Sequence, residues 1–261
     1  MTDGTGLEGR RALVTGGGSG IGLATALRLA ADGAHVTVCG RTEATLAAAA
    51  EAIGRVGSGD YVVADVTVEE QVAAAVGAAT GPDGRLDILF ACAGGSLHMG
   101  PLVDADAAAV RATVDLNVIG SFLCVKHAAK VMGEGGSIVL MSSGAGHFPH
   151  RWLWAYGMAK AGVESLCAYA AEELGSSGIR VNAVQPGIVD EELMAPITAG
   201  GALLDDYLAQ MPISRLGTVE DVATAVRYLA GPESSWVTGE CLAVDGGHHL
   251  RRGADYSLLF G

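Results

Sequence analysis

The segment Trp154-Ala155-Tyr156-Gly157-Met158-Ala159-Lys160 places a phenol and an amine four residues apart. Positions i and i+4 of a helix share a face, so the Lys160 ammonium can approach the Tyr156 hydroxyl and favour its ionised form. Ser143 adds a second hydroxyl thirteen residues before the tyrosine. This spacing predicts a proton donor and acceptor at Tyr156. The alternative is an amphipathic helix whose lysine extends its charge into solvent.

A glycine-rich segment, Thr15-Gly16-Gly17-Gly18-Ser19-Gly20-Ile21-Gly22, leads from the first predicted strand into the first predicted helix. Glycines let backbone N–H groups approach a diphosphate, and the helix N-terminus supplies partial positive charge. The spacing G-x-x-x-G-x-G carries no Walker lysine, so it predicts a dinucleotide site, with a plain glycine turn as the alternative. The expected cofactor contacts are Gly16, Ser19, Gly20, Ile21 and Gly22.

The second predicted strand ends in Val38-Cys39-Gly40-Arg41-Thr42, where dinucleotide-binding folds distinguish a ribose 2′-hydroxyl from a 2′-phosphate. The Arg41 guanidinium pairs with a phosphate, so Arg41 and Thr42 favour NADP(H). NAD(H) stays possible, because the glycine segment has no second basic residue and arginine also stacks on adenine. Asp65-Val66, after the third strand, offers a carboxylate and an apolar contact to adenine. The alternative is a turn aspartate that caps the following helix.

The 261 residues are 50% hydrophobic and 17% charged, enough for one sizeable core. A net charge of −13 argues against nucleic acid as a partner, since that needs clustered Lys and Arg. Residues Met1–Arg10 contain no apolar run, and no segment reaches eighteen unbroken apolar residues. We therefore expect no membrane contact and a cytoplasmic location.

The cysteines are widely spaced and form no C-x-x-C pair, which indicates reduced buried thiols and predicts no metal site. High apolar content with few charges also indicates that helix faces are covered by other subunits, so we expect a homo-oligomer. The cysteines are Cys39, Cys92, Cys124, Cys167 and Cys241.

Short β-rich segments alternate with alanine-rich segments of helical period, which predicts a single α/β domain over residues 1–261. We expect a Rossmann-type, doubly wound parallel sheet of about seven strands with helices on both faces. The predicted strands are Arg11–Thr15, His35–Cys39, Tyr61–Ala64, Leu86–Ala91, Ser137–Met141, Arg180–Val184 and Cys241–Val244. The predicted helices are Gly20–Ala31, Glu43–Ile53, Val68–Ala79, Ala107–Met132, Ala155–Gly175 and Val219–Ala230. Residues 190–216 interrupt the pattern as a mobile substrate lid or an ordinary helix pair.

Several motifs occur together in one order, and their combination resembles the classical short-chain dehydrogenase/reductase (SDR) family. The resemblance covers Arg11 to about Gly247 and implies a substrate-binding oxidoreductase that uses NADP(H) or NAD(H), usually as a tetramer, with a dimer as the alternative. The motifs are Thr15-Gly16-x-x-x-Gly20-x-Gly22, Asn117, Ser143, Tyr156-x-x-x-Lys160 and Asn182-x-Val-x-Pro186-Gly187.

The resemblance assigns a role to each catalytic position. Tyr156 would be the general acid and base, and Lys160 would lower the pKa of Tyr156 and hold the nicotinamide ribose. Ser143, rather than its neighbour Ser142, would hydrogen-bond the substrate oxygen. Asn117 would lie at a helix kink and hold a water behind the lysine. The cofactor contacts implied near the nicotinamide are Ala93, Gly94, Pro186, Gly187 and Ile188, besides Tyr156 and Lys160.

Two segments depart from the family pattern. Ala91-Cys92-Ala93-Gly94 stands where the family usually has Asn-Asn-Ala-Gly, so a side-chain hydrogen bond at the central sheet is missing. Val189-Asp190-Glu191-Glu192 stands where a threonine often bonds the cofactor carboxamide. Neither departure touches the proton-transfer groups, so we expect an intact catalyst.

The substrate cleft is expected between the aromatic segment Gly144–Trp154 and the lid. The alternative places the tryptophans in a subunit interface or the core. His147 and His150 are expected in solvent, with a polar contact to the substrate as the alternative. The C-terminal extension, residues 248–261, is expected to be disordered, or to dock Leu258-Leu259-Phe260 on a neighbouring subunit. The expected cleft residues are Phe148, Trp152, Trp154, Leu193, Met194, Leu203, Leu204 and Met211.

Together these patterns predict hydride transfer between NADP(H) or NAD(H) and a secondary alcohol or ketone of a small to medium lipophilic substrate. Two alternatives are a dinucleotide-binding sensor or scaffold without turnover, and a nucleotide-dependent epimerase or dehydratase.

Overall fold

The structure is a computed structural model that describes residues 6–191 and 194–259. Within these residues there are seven strands: β1 Arg11–Thr15, β2 His35–Gly40, β3 Ser58–Val63, β4 Ile88–Ala91, β5 Ser137–Met141, β6 Arg180–Pro186 and β7 Cys241–Val244. They form one parallel sheet in the order β3-β2-β1-β4-β5-β6-β7. The order reverses between β1 and β4, as in the doubly wound α/β fold that the sequence predicts.

Helices cover both faces of this sheet. The helices are α1 Gly20–Ala31, α2 Glu43–Gly54, α3 Glu69–Ala79, α4 Ala107–Val114, α5 Gly120–Ala129, α6 Gly144–His147, α7 Trp154–Gly175, α8 Ala195–Thr198, α9 Ala202–Gln210 and α10 Val219–Ala230. On one face, α1, α2 and α10 enclose a core that includes Leu29, Leu46 and Val226. On the other face, α3, α5 and α7 enclose a core that includes Val76 and Leu123.

The predicted strand and helix limits differ most at β3 and at the long helix. β3 begins at Ser58, three residues before the predicted start, because it pairs with β2 from His35 onwards. Most of this edge strand is exposed, so it lacks the apolar alternation of a half-buried strand. The predicted helix 107–132 ends at Ala129 and is interrupted by five π-helical residues, Asp115–Ile119.

Residues Ala107–Ala129 are also long and apolar enough, by length and composition, to cross a membrane, which the sequence reading did not anticipate. Buried core helices satisfy the same criteria, and this stretch packs on the sheet through Leu123, Cys124 and Ala128.

The predicted lid contains two short helices, α8 and α9, whose apolar side chains pack with the C-terminal tail in a third apolar cluster. We call it the lid cluster, and its members include Leu203, Tyr207, Met211 and Tyr256. The Asp206 carboxylate of α9 pairs with the Arg252 guanidinium and accepts the Asp255 N–H at 3.0 Å. Tyr256 is only 4% exposed. The expectation of a disordered tail is therefore wrong for residues 248–259, which dock on their own lid. Phe260 lies outside the described residues, and docking on a neighbouring subunit stays a prediction.

Candidate active site

A cavity of about 740 Å³ runs along the carboxyl edge of the sheet, from the glycine segment after β1 to the lid and the tail. Every cofactor-contact residue predicted from the sequence lines it, as do Ser143, Tyr156 and Lys160. Asn117 lies just behind the wall. Parallel strands bring their carboxyl ends to one edge, so residues far apart in the chain meet at this cavity.

The glycine segment forms an anion-binding turn at the start of α1. Gly16 and Gly20 have φ of +65° and +53°, which other residues rarely adopt. A side chain at Gly22 would collide with the Gly16 carbonyl oxygen. Ser19 precedes α1 without making a side-chain capping bond, so its hydroxyl is available to a ligand. The turn therefore fits a dinucleotide diphosphate.

Glu191 lies over this turn, a contact that sequence reasoning missed. Its Oε2 accepts a hydrogen bond from the Ile21 N–H at 3.2 Å and lies where a side chain on Gly20 would be. Burial raises the pKa of Glu191, although the Ile21 N–H acts in the opposite direction. The departure from the family threonine was visible in the sequence, but the distance from Glu191 to α1 was not.

Arg41 and Asp65 lie at the far end of the cofactor half. Within the described chain, Arg41 makes no salt bridge or side-chain hydrogen bond, which leaves its guanidinium to a ligand. The Asp65 carboxylate accepts the Thr67 N–H at 2.9 Å and the Thr67 hydroxyl at 2.7 Å. These bonds, and more weakly the Arg41 charge, lower the pKa of Asp65. The alternative that Asp65 caps the following helix is wrong, because Val68 precedes α3 and no side chain caps it; one Asp65 oxygen instead closes the turn before that helix.

Lys160 is fully enclosed at the inner wall of the cavity, with 1% of its surface exposed. Its Nζ donates to the Met141 carbonyl oxygen at 2.6 Å and lies 5.3 Å from the centre of the Tyr156 ring. Burial lowers the pKa of Lys160 to about 8. The alternative of a lysine that extends into solvent is therefore wrong.

The pKa of Tyr156 is raised above its ordinary value, because burial of the phenol outweighs a hydrogen bond with Ser143 that lowers it. We expected Lys160 to lower the pKa of Tyr156, but in this structure the pKa is raised. The Tyr156 hydroxyl is therefore protonated at neutral pH. Ser142 and Ser143 both line the cavity, but their hydroxyls have different partners. The Ser143 hydroxyl is hydrogen-bonded with Tyr156, whereas the Ser142 hydroxyl donates to Glu164 Oε1 at 2.7 Å. The hydrogen-bond partners therefore separate the two serines, and the catalytic role of Ser143 stays a prediction.

Asn117 sits in the π-helical turn that interrupts the long helix. Its Nδ2 donates to the carbonyl oxygens of Gly95 and Thr113, both at 2.8 Å. A Cβ on Gly94 would lie 2.6 Å from Asn117 Oδ1 and 3.1 Å from Lys160 Nζ, so only glycine fits between them. Asn117 is therefore next to Lys160, and its predicted water stays a prediction.

The substrate end differs from the sequence expectation. Of the eight residues expected in the cleft, Met194 lines the cavity, and Leu193 lies outside the described residues. Four of the others do not line the cavity: Phe148, Trp152, Trp154 and Leu204. The remaining two, Leu203 and Met211, are buried in the lid cluster. His147 is exposed as expected, but His150 is buried and lines the cavity, so its predicted solvent position is wrong. Residues that sequence reasoning missed at this end are Tyr207, His248 and Tyr256.

Residues 16–249 match a family model described as Enoyl-(Acyl carrier protein) reductase. The chain belongs to the short-chain dehydrogenase/reductase family. It is an oxidoreductase that acts on CH–OH groups. The SDR resemblance read from the motifs is thereby confirmed.

Two curated relatives, both named as dehydrogenases, match nearly the whole chain. The cis-4-hydroxycyclohexanecarboxylate dehydrogenase of Sinomonas cyclohexanicum is 41% identical over 243 residues, 92% of this chain and 96% of the relative. The 2,5-dichloro-2,5-cyclohexadiene-1,4-diol dehydrogenase of Sphingobium indicum is 38% identical over 245 residues, 92% and 97% of the two chains. A solved short-chain dehydrogenase of Burkholderia cenocepacia J2315, in complex with NADP, superposes with a TM-score of 0.87 at 35% identity, covering 93% of this chain and 99% of that one.

Thr15 supports the segment after β4, where Cys92 stands in place of an asparagine of the family pattern. The Thr15 Oγ1 accepts the N–H groups of Cys92 and Ala93, both at 3.0 Å. One β1 hydroxyl therefore holds the β4 end in place beside the cavity. The described residues contain no group of three or more His, Cys, Asp or Glu side chains placed to hold a metal ion.

Proposed function

We propose that this SDR enzyme transfers a hydride between NADP(H) and a secondary alcohol or ketone of a small to medium, mainly apolar substrate. One observation carries the proposal: Ser143, Tyr156 and Lys160 meet at the wall of the cavity whose other end is the diphosphate turn. A reacting carbon beside the nicotinamide would then have a proton donor next to its oxygen.

The chain offers a matching group for each part of the cofactor. The turn from Gly16 to Gly22 would hold the diphosphate, and Arg41 with Thr42 would hold a 2′-phosphate. Asp65, through its second carboxylate oxygen, and Val66 would contact the adenine. Residues 93–94 and 186–188 would flank the nicotinamide, which supplies or accepts the hydride. The NADP complex of the Burkholderia cenocepacia relative supports this choice, with NAD(H) as the weaker cofactor.

The proton moves at the Tyr156 hydroxyl. Its raised pKa keeps the phenol protonated at neutral pH, ready to donate to a carbonyl oxygen that also receives the Ser143 hydroxyl. In alcohol oxidation the proton travels the other way: Tyr156 takes it from the substrate hydroxyl, and Lys160 would pass a proton to the water that Asn117 is expected to hold. The positively charged Lys160 also steadies the ribose and the phenolate.

The substrate we propose is a cyclic secondary alcohol or its ketone. Both curated relatives are named for cyclohexane-derived alcohols, and the substrate end of this cavity is lined by Met194, Ile197 and Leu153. A sensor or scaffold would not need the Tyr156, Lys160 and Ser143 arrangement, and an epimerase or dehydratase would need more room for a larger substrate.

We also propose that the enzyme is a homo-oligomer, a tetramer or a dimer, and acts in the cytoplasm on small molecules rather than on nucleic acid or membranes. Exposed apolar side chains support the first point: Ile119 and Phe122 lie beside α4 and on α5, and Met158 lies on α7. All five cysteines are free thiols, which supports a reducing compartment.

Nucleotide absorbance at 340 nm tests the proposal, with cyclohexanol and cyclohexanone as substrates and both cofactors in parallel. Tyr156→Phe should lower kcat at least ~10³-fold, because it removes the proton donor, and should leave the Kd of NADPH within about threefold. Tyr169→Phe, on the exposed side of the same helix, should keep full activity. Turnover by Tyr156→Phe close to that of the unmodified enzyme would refute the mechanism.

A further inference from the structure

Four polar rings line the substrate end of the cavity, away from the glycine turn. They are His150 from the loop before α7, Tyr207 from α9, His248 after β7, and Tyr256 from the tail. Each is more than nine-tenths buried, with exposed fractions of 8%, 4%, 1% and 4%. Neighbouring ring centres lie 5.3 to 6.3 Å apart. Buried polar groups at this density need hydrogen-bond partners.

The two imidazoles are neutral and each keeps one acceptor nitrogen. His150 Nδ1 lies 3.1 Å from the Phe148 carbonyl oxygen, and His248 Nε2 lies 3.0 Å from that of Arg252. Only an N–H can pair with a carbonyl oxygen, so these nitrogens carry the protons. Burial lowers the pKa of His150 to about 4 and also lowers that of His248. The other nitrogens, His150 Nε2 and His248 Nδ1, have no partner in the described part of the chain.

The two tyrosines supply a donor. Their hydroxyl oxygens are 2.8 Å apart, so one hydroxyl donates to the other. The accepting hydroxyl keeps its own proton, which has no acceptor among residues 6–191 and 194–259. Tyr156 packs against the same lid cluster that contains Tyr207 and Tyr256, so the four rings lie close to the proposed proton donor.

Charged side chains are absent from this end of the cavity as the structure describes it. Every charged residue that lines the cavity lies beside the cofactor segments or beside Tyr156, away from the four rings. These residues are Arg41, Asp65, Lys160 and Glu191. The nearest ion pair, Arg252 with Asp206, is already satisfied. Asp245 is buried, and its carboxylate is bonded to the His249 N–H. A carboxylate on the substrate would lose water here without gaining a counter-ion.

We propose that His150, Tyr207, His248 and Tyr256 form a binding site for a second, uncharged hydroxyl or keto oxygen on the substrate. A hydroxyl can donate to an imidazole nitrogen and accept the free tyrosine proton at once. The inference rests on the proposed function and narrows its substrate class: a cyclic diol or hydroxyketone is preferred over an apolar alcohol and over a hydroxy acid.

The test compares kcat/KM for four kinds of alcohol: cyclohexanol, 4-methylcyclohexanol, the 1,3- and 1,4-cyclohexanediols, and 4-hydroxycyclohexanecarboxylate. At least one diol should exceed both the methyl analogue and the carboxylate by ~10-fold or more, because a site built for a hydroxyl rejects groups that leave it unpaired. Equal values for the diols and 4-methylcyclohexanol, or a carboxylate that is the best substrate, would overturn the proposal.

The double variant Tyr207→Phe/Tyr256→Phe removes both hydroxyls and keeps both rings. It should lower kcat/KM for the preferred diol ~5-fold or more relative to cyclohexanol, with Tyr169→Phe as the matched control. Thermal melting by circular dichroism checks its fold, and an equal loss on both alcohols contradicts the site. If no alcohol reduces either nucleotide, the proposed function fails. Calorimetric titration with the diols then tests this inference separately. Tighter binding of a diol by the unmodified enzyme than by the double variant supports the site, and equal binding by the two proteins refutes it.

Discussion

The carboxylate of Glu191 accepts a hydrogen bond from the Ile21 N–H in the first turn of α1. Free N–H groups and the partial positive charge at this helix end are what a cofactor diphosphate needs. Glu191 therefore competes with the diphosphate for the same donor, and its negative charge repels the incoming anion. Burial raises the pKa of Cys92 and of Tyr156, and the negative charge of Glu191 raises both pKa values further.

Glu191→Gln should lower the Kd of NADH about fivefold at pH 8, because it removes a like charge worth roughly 1 kcal/mol. The raised pKa of Glu191 sets the sign of the pH dependence. Above that pKa the carboxylate is charged and the variant binds more tightly; as the pH falls through it, the advantage disappears. Fluorescence titration with NADH avoids the 2′-phosphate, which itself titrates near pH 6. Asp190→Asn, next in the chain and exposed, is the control; weaker binding of NADH by the Glu191→Gln variant at pH 8 contradicts the competition.

Ser143→Ala and Ser142→Ala form a matched pair of neighbouring substitutions. Ser143→Ala should lower kcat ~10²-fold or more, since it removes the hydroxyl that we propose hydrogen-bonds the reacting oxygen. Ser142→Ala should keep kcat within about threefold but lower the melting temperature, because the Glu164 carboxylate loses a buried donor. Steady-state kinetics and thermal melting of both proteins separate the two roles. Similar losses of kcat in both would show that the assignment to Ser143 is wrong.

Arg41→Ala should raise KM for NADPH by ~10-fold or more and change KM for NADH by less than about twofold. A charge-assisted hydrogen bond to the 2′-phosphate contributes roughly 1.5–3 kcal/mol and has no counterpart in NADH. Michaelis constants for both cofactors are measured with the same alcohol. Arg28→Ala, on α1 outside the cavity, serves as the charge control. Equal effects on the two cofactors would remove the basis for preferring NADP(H).

Lys160→Met should abolish activity and raise the free energy of unfolding by about 1–3 kcal/mol at pH 7. The pKa of Lys160 falls from 10.5 to about 8 on folding, so the unfolded chain binds this proton more tightly. The charged lysine therefore costs stability below pH 8. That cost declines as the pH rises from about 8 to 10.5, so the difference between the two proteins shrinks there. Urea unfolding at pH 7 and pH 10 measures it, and a methionine variant less stable at pH 7 would contradict the sign.

The catalytic pair and the diphosphate turn follow from local patterns. A four-residue spacing places Tyr156 and Lys160 on one side of a helix whatever surrounds it. Glycines that must adopt positive φ, as Gly16 and Gly20 do, mark the turn in the sequence itself. Alternation of strands and helices determines the parallel sheet, and the sheet then brings these motifs to one edge.

Other features depended on contacts between distant parts of the chain. The raised pKa of Tyr156 comes from burial, which no spacing encodes. The Glu191–Ile21 contact joins residues 170 positions apart. The four rings of the substrate end come from four separate segments, and the tail that supplies Tyr256 has too little regular pattern for its position to be read from sequence.

The sequence by itself therefore determined the fold, the family and the residues that we propose exchange the proton, because these depend on periodicity and on short motifs. Only the tertiary structure decided which side chains line the substrate end of the cavity and which carboxylate lies over the glycine turn. Those properties depend on how the lid and tail pack over the sheet edge, where side chains from unrelated segments meet and water is excluded.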